Sequence, residues 1–99
     1  MKKTLAFETR SFGRANVITK AYQNGGGLAL ELVDDSDESI AMLSVNLPES
    51  SQFLGEDEFF VKTWSENEEI AEDALASGIF RDTGRTCDGF LRAKIWTFN

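Results

Sequence analysis

Carboxylates are the side chains of this sequence that are numerous and clustered enough to do chemistry. Seventeen Asp and Glu residues stand against ten Lys and Arg, so the net charge is −7. Thirteen of the acids lie between residues 34 and 73, where Lys62 is the one cation, and this segment carries −12. Residues 1–33 carry +3 and residues 74–99 carry +2. Such a charge distribution repels nucleic acid and anionic membrane and attracts basic surfaces, including those that hold nucleic acid.

These acids are better suited to binding than to catalysis. The chain has no histidine, which excludes Ser–His and Cys–His nucleophile pairs and removes the usual proton shuttle at neutral pH. Glycoside hydrolases use one pair of carboxylates, and the sequence gives no reason to select two of these numerous acids as such a pair. Cys87 is the one cysteine, and without a histidine beside it we expect a small thiol that is buried or incidental. We therefore expect no catalytic residues and no enzyme activity.

The sequence also predicts no metal and no cofactor. A tetrahedral zinc site needs several Cys or His ligands, which the chain does not contain. The four acids of residues 34–38 lie close together, but they lack the 12-residue spacing and central glycine of a calcium-binding EF-hand loop. Calcium is kept as a minor alternative for them. Residues 83–86, Thr-Gly-Arg-Thr, lack the other glycines and the Gly-Lys-Ser/Thr end of a phosphate-binding loop.

A period-two alternation of apolar residues predicts that most of the chain forms strands. Residues 28–33 and 41–47 alternate in this way, and the polar segment 34–39 between them predicts a β-hairpin with an acidic tip. The remaining predicted strands cover residues 4–10, 16–22, 58–63 and 90–98. Residues 24–27, with three glycines, predict a turn, and Asp82-Thr83-Gly84 predicts another. Residues 48–55 predict a loop that begins at the only proline.

One segment changes to the period of a helix. Ser65 and Glu68 have the spacing of a capping box, and Gly78 suits the first position after a helix. Between them lies a narrow apolar stripe, formed by Ile70, Ala71, Ala74 and Leu75. The spacing predicts a helix of about three turns over residues 65–77.

The predicted helix carries its acids in two rows. Helical spacing places Glu66, Glu69 and Asp73 in one row, and it places Glu68 and Glu72 in the next. No Lys or Arg follows these acids at i+4, so their mutual repulsion is expected to oppose helix formation. The sequence thus predicts an uncompensated acidic face.

The final predicted strand offers a second candidate surface. If Leu91, Ala93 and Ile95 face the core, the opposite face combines aromatic and basic side chains, namely Phe90, Arg92, Lys94, Trp96 and Phe98. Such a face suits a protein interface or the stacking of single-stranded nucleic acid. The alternative is a sheet that is covered on both faces, since eight Phe and two Trp are many for 99 residues and several must be core.

Length and element order predict one α+β domain over residues 1–99. A chain of 99 residues with 41% hydrophobic residues has room for one modest core. The order β-β-β-β-β-α-β predicts a mostly antiparallel sheet of five to six strands with the helix packed on it. No apolar run could span a bilayer, the first residues lack the apolar region of a secretion signal, and a single cysteine suits a reducing compartment. We therefore expect a cytoplasmic protein.

The region from residue 58 to residue 98, about two fifths of the chain, resembles an uncharacterised small-protein family, a domain of unknown function, from bacterial plasmids, prophages and conjugative elements. The matching segments are Phe60-Val61-Lys62, Trp64-Ser65-Glu66-Asn67-Glu68, Ala76 to Ile79, Thr83-Gly84-Arg85 and Gly89-Phe90. Residues 28–48 are compatible with it. The resemblance implies a mobile-element origin and no catalytic residues. Within these motifs Asn67 and Arg85 have no evident role in the fold, which makes them candidates for partner contact.

Our leading hypothesis is a non-enzymatic acidic protein of a mobile element that inhibits a host defence or nucleic-acid-handling complex, in an anti-CRISPR-like or anti-restriction manner. Its partner would be a host protein or ribonucleoprotein with a basic surface, without direct binding to nucleic acid or membrane. The predicted partner-binding residues are Asp34, Asp35, Asp37, Glu38, Glu66, Asn67, Glu69, Glu72, Asp73 and Arg85. The alternative hypothesis is a homodimeric structural or regulatory module for plasmid or phage housekeeping that associates through the aromatic strand face.

Overall fold

Seven strands and one α-helix make up the part of the chain that the computed structural model describes, residues 5–22, 27–87 and 93–99. The strands are β1 (Leu5–Thr9), β2 (Gly13–Ala21), β3 (Leu28–Val33), β4 (Ser39–Met42), β5 (Glu58–Val61), β6 (Phe80–Thr86) and β7 (Lys94–Phe98). The α-helix, α1, spans Glu68–Ala76, and short 3-10 helices span Pro48–Phe53 and Ser65–Asn67. The predicted α+β class is confirmed. In these ranges no helix has the length and apolar character needed to cross a membrane.

The strands form two antiparallel sheets where the sequence predicted one sheet of five to six strands. The first sheet has the order β1-β2-β3-β4, and the second has the order β5-β7-β6. The additional strand is β6, which contains the Asp82-Thr83-Gly84 segment that the sequence predicted as a turn. The register of β6 against β7 shifts between Asp82 and Thr86. Asp82-Thr83-Gly84 therefore forms an irregularity within β6 and does not separate two strands.

The two sheets are linked at β5 by backbone hydrogen bonds. Past the end of β4, the Val45 N–H donates to the Phe60 carbonyl over 3.0 Å, and the Lys62 N–H donates to the Leu43 carbonyl over 2.9 Å. Gly27 forms an isolated bridge to Phe59 beside this link. The approach there is very close, because a Cβ atom on Gly27 would lie 2.5 Å from a Leu54 side-chain carbon and 3.0 Å from the Glu58 carbonyl oxygen. A residue without a side chain is needed at this position.

The principal core lies between α1 and the two sheets, and Phe80 joins its parts. The Phe80 ring centroid is 6.4 Å from that of Phe7 in β1, 5.7 Å from that of Phe59 in β5 and 5.3 Å from that of Phe98 in β7. The helix contacts β1 and β6, the outer strands of the two sheets, and buries Ile70, Ala71 and Ala74. The helix therefore packs across the gap between β1 and β6.

A second, smaller core covers the other face of β7. Ala93 and Ile95 are buried there with Phe60 and the Cys87 thiol. The condition stated for the last strand, that Ala93 and Ile95 face a core, is met, and Leu91 lies outside the described residues. The cysteine is buried. The second sheet therefore has apolar packing on both faces.

The predicted start of the helix is wrong and its predicted end is confirmed. Ser65 has φ = 59° and lies in the 3-10 segment, so it does not cap α1. The N-cap residue of α1 is Asn67, which makes no side-chain capping bond. Its side chain instead donates to the Met42 carbonyl over 2.6 Å. Gly78 follows the helix with φ = 83°, and its N–H donates to the Leu75 carbonyl.

The close approach at Gly27 predicts unequal effects of two matched substitutions. Gly27 and Gly84 share φ = 81°, but a Cβ on Gly84 would meet no atom within 4 Å. Gly84→Ala should lower the free energy of unfolding by about 1 kcal/mol, the cost of the left-handed backbone. Gly27→Ala adds a collision with backbone and should cost about 3 kcal/mol. Urea unfolding measures both values, and equal losses would contradict the tight packing at the sheet junction.

Candidate functional site

The first sheet brings the two separated groups of acids toward the same end of the molecule. Because β1-β2 and β3-β4 are antiparallel neighbours, the turn at residues 10–12 and the turn at residues 34–38 lie at the same end of the sheet. At the start of β2, the Asn16 side-chain amide donates to Asp35 Oδ1 over 3.0 Å, and Arg14 Nε lies 3.9 Å from the same oxygen. The turn at residues 10–12 contacts α1.

Arg10, in the turn between β1 and β2, neutralises part of the acidic helix face. Its Nε atom lies 2.8 Å from Asp73 Oδ1, and its Nη2 atom lies 2.8 Å from Glu72 Oε1. Its backbone N–H donates to Asp73 Oδ2 over 3.0 Å. Two hydrogen bonds raise the pKa of Arg10 above its ordinary value, and the bond to Glu72 has a larger effect than the bond to Asp73. The helix face predicted as uncompensated is therefore compensated in part, by a cation that lies 62 to 63 residues away in the sequence.

Two further contacts restrain acids at the beginning of the helical segment. Lys62 Nζ lies 2.5 Å from Glu66 Oε1. This hydrogen bond has the largest effect on the Glu66 carboxyl, and together with a smaller effect of a hydrogen bond from Ser65 it lowers the pKa of Glu66 to about 2. The Ser11 hydroxyl donates to Glu69 Oε1 over 2.5 Å. Glu66 and Glu69 therefore have preferred orientations although both residues are exposed.

Strong negative charge remains after these contacts. We define the acidic surface as the nine carboxylates of the β3–β4 turn and the helical segment, namely Asp34, Asp35, Asp37, Glu38, Glu66, Glu68, Glu69, Glu72 and Asp73. Within the described ranges, three cations contact it, namely Arg10, Arg14 and Lys62, and the nine negative and three positive charges sum to −6. The side chain of Asp35 is 74% exposed and that of Glu72 is 65% exposed, whereas that of Asp73 is 14% exposed. Most of these carboxylates are therefore accessible to solvent, whereas Asp73 is largely buried and holds the β1–β2 turn through Arg10.

The acidic hairpin tip is ordered by its own first residue. Asp34 Oδ1 accepts hydrogen bonds from the Ser36 N–H over 2.8 Å and from the Glu38 N–H over 3.0 Å. Asp37 has φ = 65°, a conformation that Asp tolerates in turns. In the described ranges, no group of three or more Cys, Asp or Glu side chains is arranged to hold a metal ion. The Asp34 carboxylate thus fixes the turn, and its neighbours are presented to solvent.

Asn67 and Arg85 have structural roles that sequence reasoning missed. Asn67 is 1% exposed, and its bond to the Met42 carbonyl ties the helical segment to β4. Arg85 on β6 forms an ion pair with Glu58 on β5. The Arg85 hydrogen bond and one from the Gly55 N–H hold the pKa of Glu58 below its ordinary value. Asn67 is too buried for partner contact, and Arg85 lies in the second sheet, so neither belongs to the acidic surface.

The aromatic face predicted for the last strand is part of the core. Trp96 is 2% exposed, and Phe98 packs against the principal core. Lys94 is exposed, with its Nζ atom 3.9 Å from Asp82 Oδ2. Phe90 and Arg92 lie outside the described residues. The prediction of an exposed interface is therefore wrong for Trp96, and Phe98 is half-buried. The alternative of a sheet covered on both faces describes the second sheet.

Sequence reasoning also missed a groove of about 250 Å³ beside α1. It is lined by Thr63, Glu68, Ala71, Glu72, Leu75, Lys94 and Trp96. Leu75 belongs to the apolar stripe that predicted the helix, yet it is 38% exposed. Glu68, which the sequence placed on the helix but outside the partner-binding set, is exposed at the groove. The groove lies between α1 and β7. Sequence spacing does not show that these two elements lie side by side.

Comparisons with protein-family models, with curated proteins and with solved structures find no match to this chain. The resemblance to a mobile-element family stays a prediction. The geometry of the acidic surface is therefore the basis for functional inference.

The buried amide of Asn67 predicts a loss of stability on substitution. Asn67→Ala removes the bond to the Met42 carbonyl and should lower the free energy of unfolding by about 1–2 kcal/mol. Asn46→Ala, at an exposed asparagine, is the control and should change it by less than about 0.5 kcal/mol. Denaturant unfolding compares the two, and an unchanged stability in Asn67→Ala would contradict the structural role.

The Lys62–Glu66 contact predicts a pH dependence. A lowered folded-state pKa means that the contact stabilises the fold above the ordinary value of 4.5, and that this contribution is lost as the pH falls toward about 2. A carboxyl-carbon NMR titration should find the Glu66 midpoint near 2 in the wild type. In Lys62→Met the midpoint should move back toward 4.5. A wild-type midpoint close to 4.5 would exclude the contact in solution.

Proposed function

We propose that this protein is a non-enzymatic inhibitor that occupies the basic nucleic-acid-binding surface of a host protein or ribonucleoprotein. The observation that carries the proposal is the acidic surface, in which nine carboxylates from two distant segments retain a balance of −6 after their contacts with cations. A basic groove that accommodates phosphates attracts such a surface by the same electrostatics.

Local hydrogen bonds support this proposal because they hold the carboxylates in place before a partner arrives. Arg10 links the β1–β2 turn to Glu72 and Asp73, and Asp34 orders the hairpin tip through backbone N–H groups. Side chains that are already ordered lose less conformational entropy on association. The acidic surface is thus better suited to a specific partner than a disordered acidic tail would be.

The class of target follows from the predicted origin. If the resemblance to proteins of plasmids, prophages and conjugative elements is correct, the host complexes that threaten such elements are defence nucleases, and the activity is anti-CRISPR-like or anti-restriction. This activity would take place in the cytoplasm, where those complexes meet foreign nucleic acid. The homodimeric alternative loses its main argument, because Trp96 is buried in the core.

Two matched triple variants test the proposal. Glu66→Gln, Glu68→Gln and Glu69→Gln together remove three charges from the acidic surface, whereas Glu8→Gln, Glu49→Gln and Glu56→Gln remove three exposed charges elsewhere. Each variant and the wild type serve as bait in a host-cell lysate at low and high salt. Captured proteins are identified by mass spectrometry, and the affinity of the main partner is then measured with purified components.

We expect the wild type and the control variant to capture a nucleic-acid-binding protein that duplex DNA or its guide RNA displaces. The acidic-surface variant should bind it about tenfold or more weakly, and high salt should release it. Equal loss in both variants would indicate a general charge effect and would contradict a localised surface. Capture that persists in the acidic-surface variant and at high salt would overturn the electrostatic proposal.

A further inference from the structure

Phe12 is the most exposed large apolar side chain among the described residues. It lies in the turn between β1 and β2, it is 55% exposed, and it belongs to neither core. The other phenylalanines whose side chains are described are buried or half-buried in the two cores, namely Phe7, Phe59, Phe60, Phe80 and Phe98. The packing of the domain therefore gives no reason for an aromatic ring at position 12.

The turn that carries Phe12 is held in place on both sides of this residue. The Thr9 hydroxyl accepts a hydrogen bond from the Phe12 N–H over 2.8 Å and donates one to the Gly13 carbonyl over 2.8 Å. The two preceding residues are fixed to α1, through the Ser11 hydroxyl and the Arg10 N–H. An ordered turn loses less conformational entropy when a partner covers it. The exposed ring is thus presented from a fixed backbone.

The charges beside this turn indicate the chemistry of the partner that covers the ring. Arg10 and Ser11 contact Glu69, Glu72 and Asp73 of the acidic surface, so a partner on the ring also meets carboxylates. A second copy of this chain would bring a second acidic surface, and the like charges would repel. A surface that combines cations with flat side chains matches both features, because a phenyl ring stacks on other rings and on guanidinium groups. Grooves that hold single-stranded nucleic acid have this composition.

We propose that Phe12 takes the place of a nucleobase when the acidic surface occupies a nucleic-acid-binding groove of the partner. The carboxylates meet cations that otherwise contact phosphates, and the Phe12 ring stacks on the flat side chain that otherwise stacks on a base. Stacking of a single base on such a side chain changes affinity by about tenfold. This inference rests on the proposed function, since it names the stacking surface that the partner must contain beside its cations.

The first test follows the Phe12 ring signals in the ¹³C-labelled full-length protein, where Phe12→Leu assigns these signals by their loss. The probe is the peptide Arg-Trp-Arg and the control probe is Arg-Ala-Arg, both with acetylated and amidated ends, so the two have equal charge and differ in the ring. We expect Arg-Trp-Arg to shift the Phe12 signals in a saturable manner and to bind about fivefold or more tightly than Arg-Ala-Arg. Equal affinities, or Phe12 signals that neither peptide moves, would overturn the inference.

Two variants separate the ring from exposed apolar surface elsewhere. Phe12→Ala removes the ring without a change of charge, and Met42→Ala truncates a side chain on β4 that is 40% exposed. Phe12→Ala should abolish the preference for Arg-Trp-Arg, whereas Met42→Ala should retain it. A preference that persists in Phe12→Ala would overturn the inference.

The purified partner from the lysate capture distinguishes this inference from the proposed function. Phe12→Ala should bind that partner about tenfold more weakly than the wild type, and Met42→Ala should bind it equally well. A partner that the three Glu→Gln changes release, but that binds Phe12→Ala as tightly as the wild type, would overturn the role of Phe12 and leave the proposed function standing. Capture of no nucleic-acid-binding protein would overturn both.

Discussion

The packing around Phe80 is the interaction on which the rest of this structure depends. A chain of 99 residues has too few apolar side chains to form several large cores. Phe80 contacts rings from β1, β5 and β7 within one cluster that also includes the buried face of α1. Burial of each such ring contributes about 1.5–3 kcal/mol, and each ring pair adds about 0.5–1.5 kcal/mol. The same rings therefore hold the helix and both sheets in one arrangement.

The fold brings like-charged segments to the same end of the molecule and compensates only part of their repulsion. Arg10, Arg14 and Lys62 each contact an acid of the surface, and all three lie outside α1 and the hairpin tip. Because Arg10 brings its guanidinium to Glu72 and Asp73, it also holds the β1–β2 turn against the helix. Exposed ion pairs of this kind contribute little to stability. Their larger effect is to give the remaining carboxylates a defined arrangement.

The acidic surface supplies attraction more than discrimination. Exposed carboxylates steer a basic partner at long range, but they discriminate weakly among basic proteins. The contacts of Arg10, Lys62 and Asp34 hold several of these groups in place. Specificity for one partner would therefore depend on the arrangement of the charges as well as on their number.

The sequence by itself determined the fold class, the strand at residues 28–33, the helix end at Gly78 and the concentration of acid. Each of these features depends on local spacing, local backbone preference or composition. Only the tertiary structure decided that the strands divide into two sheets, that Trp96 is buried, that Asn67 bonds to Met42, and that Arg10 neutralises part of the helix face. These features depend on contacts between residues far apart in the chain. Alternation along a strand identifies its two faces, but the elements that pack against each face are fixed by the packing of the whole domain.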